Sequence, residues 1–530
     1  MTFKPSTTDK ALAPETAKSH EGAATLFIDG TWSAAAAGNT RTIECPADGS
    51  FIAEVAEADA TDTERAIAAA DAAFRRTGEG SWASWSTAER SKLVLDIGAA
   101  IRQRKDEFAW AEAMDTGKRL PEAAADMDDI IACFEYFGKL AGNDAGRLVD
   151  ADDPSVVARI VREPVGVCGL ITPWNYPLLQ TAWKVAPALA TGNTFVLKPA
   201  ELTPHTAILL MHVIDDLGVP AGVANLITGA GAEAGAPLSS HPKVDMVSFT
   251  GGLVTGKIIA GEAAKSVKKV ALELGGKNPN IIFADADYEA ALDNALNAAF
   301  LHSGQVCSAG ARLIVEESIA EKFVDDLVER AGHIQLGGPL DEKAETGALI
   351  SKQHLDKVAA YVDRAREQGA RVRVGGEIAA GTTADGSASL ADGYFYLPTV
   401  IDQVTRDMDC VHDEAFGPVV TVETFTTVDE AIEIGNDTEY GLAGAVWSSN
   451  REVSERVSRE LRHGTVWIND FGPYLPQAEW GGFGQSGIGR ELGPTGLEEY
   501  TEAKLVYENT APAVTGWFED RREITRNKPE

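Results

Sequence analysis

Short apolar runs alternate with amphipathic stretches along most of this chain. Repeated units of a strand followed by a helical or turn segment are typical of α/β layers around a largely parallel sheet. Five such units lie close together in the sequence and predict a dinucleotide-binding domain. Their predicted strands are Val165–Ile171, Thr194–Leu197, Ala224–Thr228, Asp245–Phe249 and Val270–Leu274.

A second series of apolar and amphipathic segments begins after Lys277 and predicts a further α/β domain. Its predicted strands are Asn280–Phe283, Arg312–Val315 and Ala443–Trp447, and its predicted helices are Tyr288–Phe300, Ile319–Ala331, Lys352–Glu367 and Arg451–Leu461. Three more helices are predicted ahead of the first series, at Glu64–Phe74, Ala88–Arg102 and Pro121–Leu140. We expect them to pack around the dinucleotide-binding domain.

Length and charge limit the possible partners. A chain of 530 residues exceeds what one hydrophobic core organises, so two or three packed domains are expected. The formal net charge of −33 repels nucleic acid and anionic membranes, and we predict neither as a partner. Such acidity suits a salt-rich host, although an ordinary solvated acidic surface would give the same composition.

The five cysteines and the N-terminus indicate a cytoplasmic protein. Cys45, Cys133, Cys168, Cys307 and Cys410 are odd in number and form no Cys-x-x-Cys pair, which favours a reducing compartment without disulfides or a metal site. Residues 1–22 lack the apolar core of a signal peptide and are interpreted as a loose extension. The uncharged stretch from Val165 to Trp183 is interrupted by prolines, so we interpret it as a buried strand and an active-site loop.

One cysteine and one glutamate stand out as candidate reacting groups. Gly304-Gln305-Val306-Cys307-Ser308 follows Glu273-Leu274-Gly275-Gly276-Lys277, with 34 residues separating the cysteine from the glutamate. A thiolate nucleophile paired with a carboxylate base indicates covalent acyl chemistry. An isolated cysteine is more often an inert buried residue, and the other four cysteines keep that interpretation.

Further motifs give the chain a resemblance to a known family. In order, they are Pro173-Trp174-Asn175-Tyr176-Pro177, Leu197-Lys198-Pro199-Ala200-Glu201, Phe249–Gly256, Glu414-Ala415-Phe416-Gly417-Pro418 and Gly489-Arg490-Glu491-Leu492. From about Phe27 to about Tyr507 the chain resembles the aldehyde dehydrogenase superfamily. It is most similar to the betaine aldehyde dehydrogenases, through Trp467–Phe471, Pro476-Gln477-Ala478 and Leu497–Thr501.

The resemblance implies an α/β aldehyde dehydrogenase fold with three parts. They are a Rossmann-like NAD-binding domain over residues 23–147 and 168–276, a catalytic domain over 277–481, and a small β oligomerisation flap over 148–167 and 482–510. Residues 511–530 would form a C-terminal tail. The flap implies a homodimer or homotetramer.

The resemblance also implies roles for the reacting groups. Cys307 would attack the aldehyde, Asn175 and the Cys307 backbone N–H would hold the resulting oxyanion, and Glu273 would activate the hydrolytic water. Lys184 and Glu491 match positions of a proton exit path, and a structural ion pair explains them equally well.

The implied cofactor is NAD. Phe249–Gly256 runs from a strand into a helix that starts near Val254, whose N-terminus suits a pyrophosphate. The superfamily usually has serine at position 252, so at Gly252 one phosphate contact is lost or replaced. Lys198 and Glu201 would hold the adenosine ribose, and the charge of Glu201 would repel a 2′-phosphate, which favours NAD over NADP. The predicted cofactor residues are Ile171, Thr172, Pro173, Trp174, Lys198, Glu201, Phe249, Thr250, Gly251, Gly252, Thr255, Leu274, Gly275, Glu414 and Phe416.

The predicted substrate is betaine aldehyde, whose trimethylammonium group is recognised by aromatic faces. Tyr176, Trp183 and Trp480 fall where the betaine aldehyde dehydrogenases place such aromatics, and Thr465 where they need a small residue. Leu301 stands where several relatives carry an aromatic, so the cage is either incomplete or completed by Phe471 or Tyr474.

Several alternative functions fit the sequence less well than the oxidation of betaine aldehyde. Oxidation of ω-amino aldehydes such as 4-aminobutyraldehyde is the nearest competitor, followed by a broad aldehyde dehydrogenase. A cysteine ester hydrolase would leave Lys198, Glu201 and Phe416 without a role. A silent homologue would have lost Cys307 or Glu273, and a CoA-acylating enzyme would lack the base Glu273. Glycine betaine as product would make the enzyme part of osmoprotection.

Overall fold

The computed structural model describes residues 24–142, 146–515 and 517–518. The predicted extension over residues 1–22 lies outside the described residues, as does the end of the predicted tail. All five cysteines are described, and all are free, as the sequence predicts.

The first sheet contains the five predicted parallel strands at its centre. The described residues give it eight strands in the order β19-β11-β10-β7-β8-β9-β1-β2, and strands β7 to β11 are parallel to one another. Strands β1, β2 and β19 pair antiparallel at the edges, and they are too short for a hydrophobic period to predict them. The strands are β1 Leu26–Ile28, β2 Thr31–Ser33, β7 Val167–Ile171, β8 Thr194–Lys198, β9 Ala224–Leu226, β10 Met246–Thr250, β11 Lys269–Glu273 and β19 Gly487–Ile488.

The second sheet contains seven strands within the described part of the chain, in the order β14-β15-β16-β13-β12-β17-β18. The sequence analysis predicted β12, β13 and β17 and missed the other four. All neighbouring strands are parallel except β14 and β15. The strands are β12 Pro279–Ile282, β13 Arg312–Glu316, β14 Arg371–Val374, β15 Thr399–Asp402, β16 Val419–Phe425, β17 Ala443–Trp447 and β18 Thr465–Ile468.

Two small antiparallel sheets complete the β-structure of the described residues. Strands β3 (Thr40–Glu44) and β4 (Phe51–Ala56) form a hairpin. Strands β5 (Arg147–Val149), β6 (Val156–Pro164) and β20 (Thr501–Asn509) form a three-stranded sheet in the predicted flap. The predicted flap segment 482–510 is divided in the structure, because β19 pairs with β11 of the first sheet instead of with β6. The boundaries of the domains stay predictions.

The seven helices that the sequence predicts with bounds start and end within four residues of those bounds. Helix α2 begins at a capping box in which Ser86 and Glu89 exchange side-chain and backbone hydrogen bonds. The helices are α1 Ala60–Arg75, α2 Thr87–Gln103, α3 Lys105–Thr116, α4 Leu120–Ala141, α5 Pro177–Thr191, α6 His205–Asp216, α7 Ala236–Ser240, α8 Leu253–Ala264, α9 Tyr288–Phe300, α10 Glu317–Ala331, α11 Lys352–Glu367, α12 Asp409–His412, α13 Val428–Asn436, α14 Arg451–Glu460 and α15 Gly493–Glu498.

The stretch from Val165 to Trp183 forms the buried strand β7, a loop and the first half of α5, as the sequence analysis predicts. Within the described ranges, no helix combines the length and the apolar character that a membrane span needs.

The carboxyl ends of the strands in the first sheet face the amino ends of the strands in the second sheet, across the segment that follows β11. Parallel strands present their carboxyl ends at one edge, and in the first sheet Ile171, Lys198, Thr250 and Glu273 end their strands there. The chain then crosses in five residues to Pro279, the first residue of β12. The carboxyl edge of the first sheet therefore lies against the amino edge of the second, and such an edge is where open α/β sheets bind ligands.

A buried ion pair ties the centre of the second sheet together. The Arg312 guanidinium on β13 donates to both carboxylate oxygens of Glu423 on β16, at 2.5 and 3.2 Å, and to the Asp437 carbonyl at 3.0 Å. Both side chains are almost completely buried. Removing one partner would leave an uncompensated charge in the sheet.

We predict that Arg312→Met destabilises the fold strongly. The unpaired Glu423 carboxylate should lower the free energy of unfolding by about 3–5 kcal/mol, measured by urea denaturation. Arg451→Met is the matched control, because Arg451 forms an exposed pair with Glu455, and its free energy of unfolding should match that of the wild type. Equal effects of the two substitutions would contradict a structural role for the buried pair.

Candidate active site

A cavity of about 220 Å³ lies where the two sheets meet. Residues from the predicted nucleophile, base, oxyanion and cofactor groups all line it, which brings together positions up to 243 residues apart in sequence. The lining residues that the sequence predicts are Pro173, Trp174, Asn175, Tyr176, Thr250, Gly251, Gly252, Glu273, Leu274, Cys307, Glu414 and Phe416; Gln180, His354 and Lys357 join them without having been predicted.

The crossing segment from Glu273 to Asn278 is the backbone against which the site is assembled. A Cβ atom on Gly275 would lie 2.2 Å from a Glu414 carboxylate oxygen, so only glycine admits that carboxylate. The Gly276 N–H donates to Glu414 Oε1 at 3.0 Å. Asn278 Nδ2 donates to the carbonyls of Cys307 and Ala309, both at 2.9 Å. The segment therefore fixes the base, the Glu414 carboxylate and the nucleophile relative to one another.

Cys307 follows a left-handed turn that ends helix α9. His302, Ser303 and Gly304 have φ values of 48°, 52° and 68°, and the first two lie in a region that non-glycine residues rarely adopt. The turn is held by the Ser303 N–H, which donates to Thr346 Oγ1 at 2.9 Å, and by Ser303 Oγ, which donates to the Gly347 carbonyl at 2.6 Å. These bonds compensate the strain and place the half-buried Cys307 at the cavity.

Asn175 is positioned by the residues that precede Cys307. Its Nδ2 donates to the Gln305 carbonyl at 2.9 Å, and its backbone carbonyl accepts a bond of 3.0 Å from His302 Nε2. A primary amide carries two N–H donors, and the bond to Gln305 uses one of them. The buried amide is thus oriented beside the nucleophile in the place where the sequence analysis predicted an oxyanion donor.

Burial favours the uncharged forms of the Cys307 thiol and the Glu273 carboxyl group. Burial raises the pKa of Cys307 to about 12, and the carboxyl groups of Glu273 and Glu414 act in the same direction. Burial also raises the pKa of Glu273 well above its usual value, and nearby Glu491 adds to the rise against the opposing charges of Lys184 and Arg490.

Lys184 and Glu491 form a buried pair beside Glu273. Their side chains contact each other directly, and Lys184 Nζ also donates to Thr250 Oγ1 at 2.7 Å. Thr250 Oγ1 donates in turn to Gln180 Oε1 at 3.1 Å. The result is a continuous hydrogen-bonded chain from Glu491 to two side chains that line the cavity. This arrangement suits an ion pair and a proton path alike.

At the predicted adenosine end of the cofactor site, the Lys198 ammonium is held beside the end of β8. Lys198 Nζ donates to the carbonyls of Pro199 and Gly229, both at 2.9 Å, and lies 3.6 Å from Glu201. The Thr172 N–H donates to the Lys198 carbonyl at 3.1 Å, which joins the ends of β7 and β8 next to Ile171. Phe249 packs on Gly251 at the end of β10.

Helix α8 begins at this edge with an open N-terminus. Gly252 is its N-cap residue and makes no side-chain cap bond, and a Cβ atom there would meet nothing within 4 Å. Thr255 is exposed in the first turn. Val254 and Ile258, one turn apart, expose an apolar strip that is 74% and 61% accessible. The sequence analysis did not single out this strip.

The predicted aromatic residues form two groups, and Tyr176 is the one of them that lines the cavity beside Cys307. Trp183, Tyr474 and Trp480 pack together with ring centroids 5.3 to 6.1 Å apart. Trp480 also approaches Trp467, which packs on Phe471. Tyr474 thus packs against both predicted tryptophans, which also contact each other. Phe471 lies one ring further away, on Trp467.

Tyr176 lies apart from the tryptophans, between two other side chains. The ammonium of Lys118 is 4.0 Å from the centre of its ring, and His302 meets it edge-on at 5.5 Å. Lys118 is itself paired with Asp126 at 2.7 Å. No motif or spacing in the sequence predicts that a buried lysine contacts this ring.

Thr465 and Leu301 are connected to Cys307 through other residues. Thr465 begins β18 opposite Ala443, whose N–H donates to Asn278 Oδ1 at 3.0 Å, and Asn278 holds the Cys307 carbonyl. Leu301 ends helix α9 directly before the left-handed turn. Neither residue lines the main cavity.

Only one of the missed lining residues left a signal in the sequence. Gln180 lies four residues from both Tyr176 and Lys184, a spacing that places all three on one face of α5. His354 and Lys357 come from α11, far along the chain, and reach the cavity only through the packing of that helix.

Comparison with known proteins agrees with this geometry. A sequence model described as the aldehyde dehydrogenase family matches residues 32–506. The chain is 52% identical to a betaine aldehyde dehydrogenase of Bacillus subtilis (strain 168), over 93% of this chain and 99% of that protein. It is 43% identical to aminoaldehyde dehydrogenase 2 of Zea mays, over 93% and 97% of the two chains. The crystal structure of betaine aldehyde dehydrogenase from Staphylococcus aureus in complex with NAD⁺ superposes with a TM-score of 0.93, at 48% identity and over 96% and 99% of the chains. The predicted fold class is confirmed.

We predict that alkylation of Cys307 by iodoacetamide accelerates continuously with pH. Because the pKa of Cys307 is raised to about 12, the thiolate fraction should grow about tenfold per pH unit between about pH 7 and 10. The rate is measured by mass spectrometry of the Cys307 peptide in protein without added ligands. The other cysteines are buried and serve as internal controls. A plateau between about pH 8 and 9 would contradict the raised pKa.

Proposed function

The chain belongs to the aldehyde dehydrogenase family, and from that premise we propose that it oxidises betaine aldehyde to glycine betaine with NAD as the hydride acceptor. The observation that carries the proposal is the meeting of Cys307, Glu273 and Asn175 at one cavity, with the aromatic group of Trp183, Tyr474 and Trp480 in the same apolar cluster that packs against Cys307. The first three groups supply aldehyde chemistry, and the second three suit a quaternary ammonium.

The residues around the cavity fit NAD. The open N-terminus of α8 presents backbone N–H groups that suit a pyrophosphate, and Gly252 leaves room beside them. The exposed strip of Val254 and Ile258 offers an apolar surface for a flat base. Glu414 and Phe416 would hold the nicotinamide half, and Lys198 and Glu201 the adenosine ribose. When bound, the nicotinamide supplies the oxidising power by accepting a hydride from the substrate carbon.

The surroundings of Glu201 favour NAD over NADP. A carboxylate at the adenosine ribose repels a 2′-phosphate. Arg41 lies close enough to interact with Glu201, but Glu57 binds its guanidinium through two bonds of 2.5 and 2.6 Å. That cation is already neutralised, so it offers little compensation for a phosphate.

The first chemical step is attack by the Cys307 sulfur on the aldehyde carbon. Since the thiol has a raised pKa, its proton must be taken by a base, and Glu273 lines the same cavity. The oxyanion that forms would accept hydrogen bonds from the Asn175 amide and the Cys307 N–H. A preorganised donor of this kind stabilises the transition state by about 3 kcal/mol.

The second step is hydrolysis of the thioester left on Cys307 after hydride removal. Glu273 would take a proton from water, which then attacks the thioester carbon and releases the carboxylic acid. The proton can leave along Gln180, Thr250, Lys184 and Glu491, because these side chains are linked by consecutive hydrogen bonds.

Preference for a cationic aldehyde is supported by charge as well as by aromatic rings. The carboxyl groups of Asp126, Glu122 and Asp129 on α4 act electrostatically on Tyr176, which lines the cavity. Asp126 and Glu122 are paired with Lys118 and Arg119, so Asp129 is the member of this set that adds negative charge. A trimethylammonium group has no N–H to donate, so each aromatic face contributes roughly 0.5–2 kcal/mol in place of a hydrogen bond.

Oxidation of ω-amino aldehydes is the second candidate function. A primary ammonium prefers hydrogen-bond acceptors, and Asp129 offers an exposed carboxylate next to Tyr474. The similarity to an aminoaldehyde dehydrogenase of Zea mays supports the same candidate.

The setting of the enzyme is part of the proposal. We infer a homodimer or homotetramer, since β18 and β20 are edge strands that expose Ile468, Leu505 and Tyr507. A cytoplasmic location and a role in osmoprotection fit the free cysteines and the net charge of −33.

We predict the highest kcat/KM for betaine aldehyde with NAD. The panel is betaine aldehyde, 4-aminobutyraldehyde, propanal and benzaldehyde, each with NAD and NADP, followed by NADH or NADPH absorbance. Trp480→Leu should lower kcat/KM for betaine aldehyde about tenfold and leave propanal within about twofold, because the neutral aldehyde loses no cation–π contact. A preference for 4-aminobutyraldehyde would overturn the leading proposal in favour of the second candidate.

We also predict that a variant of the nucleophile and a variant of the base block different steps of the reaction. Cys307→Ala should abolish dehydrogenase turnover, since no thioester can form. Glu273→Gln should slow turnover and accumulate acyl-enzyme, visible as an acyl mass on the Cys307 peptide after acid quenching. Glu455→Gln, an exposed substitution, is the control and should behave as wild type. Undiminished turnover in Cys307→Ala would refute the covalent scheme.

A further inference from the structure

Lys277 is a buried cation for which the proposed reaction has no use. It follows the two glycines of the crossing segment, and its side chain is 1% exposed. Among the described residues, no carboxylate lies within 4.0 Å of its ammonium, which donates to the Tyr361 hydroxyl at 3.1 Å. Burying an ammonium without a countercharge costs several kcal/mol, roughly, so its retention needs a reason.

The Tyr361 hydroxyl also forms a hydrogen bond to the segment that precedes Glu414. It donates to the Cys410 carbonyl at 2.6 Å and lies 3.4 Å from the Asp413 carbonyl. Lys277 and Tyr361 therefore connect the crossing segment to the residue directly before Glu414.

The same helix holds the other side of the Glu414 loop. His354 lies seven residues before Tyr361 on α11, which places both on one face of the helix, and its Nε2 lies 2.7 Å from the Phe416 carbonyl. Phe416 has a φ of 56°, a conformation that needs outside support in a non-glycine residue. The loop is thus held at both ends by α11, and Lys277 is the part of this clamp that carries charge.

We propose that Lys277 is a positioning residue for Glu414: it holds the preceding segment through Tyr361, and its buried ammonium belongs to the residue next to Gly276, whose N–H binds the Glu414 carboxylate. This inference rests on the proposed use of NAD, since the ionised carboxylate can accept two hydrogen bonds from ribose hydroxyls where the neutral acid accepts them less well.

The electrostatics around Glu414 agree with this role. Burial raises the pKa of Glu414 to about 7, and the Gly276 N–H, Lys357 and Lys277 oppose the rise. Lys357 is exposed to solvent, so its effect is more screened than that of the buried Lys277. Cys307 and Tyr440 also feel the charge of Glu414.

The protonation of Lys277 itself changes in an accessible range. Burial lowers the pKa of Lys277 to about 8, and Arg312 acts in the same direction. The groups that oppose this fall are Cys410 on α12, Glu423 on β16 and Glu414. The cation is therefore present at neutral pH and lost as the pH rises through about 8, where Glu414 is ionised without help.

The test is the dissociation constant of NAD, measured by calorimetry without aldehyde at about pH 6.5 and about pH 9. Lys277→Met removes the charge and keeps the length of the side chain. If the pKa of Glu414 rises by about one unit, binding should weaken about five- to tenfold more at the lower pH than at the higher pH, where only the lost hydrogen bond to Tyr361 contributes. Lys352→Met, on the exposed face of α11, is the matched control and should bind as wild type at both.

A second variant separates the hydrogen bond from the charge. Tyr361→Phe keeps the ammonium and removes the hydroxyl link, so it should weaken NAD binding by roughly two- to tenfold equally at both pH values. In a Glu414→Gln background the pH-dependent part of the Lys277→Met effect should disappear, because the amide does not titrate.

The outcomes distinguish this inference from the proposed function. Absence of NAD binding by the wild type at both pH values would refute the use of NAD itself. Wild-type binding of NAD with Lys277→Met unchanged at about pH 6.5, or weakened equally at both pH values, would overturn the electrostatic role. If Lys277→Met does not fold, as judged by circular dichroism, the Tyr361→Phe and Glu414→Gln variants decide: wild-type affinity in Tyr361→Phe, or a pH-dependent affinity that persists in Glu414→Gln, overturns the proposal.

Discussion

Close packing of other residues against Gly275 and Gly276 is the constraint on which the site depends. One glycine lies against the Glu414 carboxylate, and a Cβ atom on the other would meet Asn278 Oδ1 at 2.5 Å and the Cys307 carbonyl at 2.9 Å. Any side chain at either position would separate the loops that bring Glu414 and Cys307 to the end of β11. The geometry of a site built from distant segments is thus decided by the absence of two side chains.

Burial of ionisable groups is the second theme of the structure. Cys307, Glu273 and Glu414 all have raised pKa values because the cavity excludes water, while Lys184 and Lys277 are placed where they oppose the effect on the carboxyl groups. A low local dielectric strengthens every such interaction. Burial therefore disfavours the charged forms of these groups, and Lys184 and Lys277 oppose that effect on the two carboxyl groups.

Cations also shape the substrate side of the cavity. Lys118 occupies one face of Tyr176 and is neutralised by Asp126, so that ring is already engaged inside the protein. The group of Trp183, Tyr474 and Trp480 has no such internal cation among the described contacts. For this reason we propose the tryptophan group as the receptor of the quaternary ammonium, while Tyr176 lines the cavity beside Cys307.

The sequence by itself determined the central strands of both sheets, the helices with a clear apolar face, and the chemical identity of Cys307, Glu273 and Asn175. These features are local: a buried strand needs a run of apolar residues, and a motif carries its reacting atoms within a few positions. The tertiary structure alone decided that His354, Tyr361 and Lys357 belong to the site, that Tyr474 joins the tryptophans, and that β19 completes the first sheet instead of the flap. These features depend on contacts between residues far apart in the chain, and neither hydrophobic periodicity nor motif spacing contains information about which distant surfaces meet.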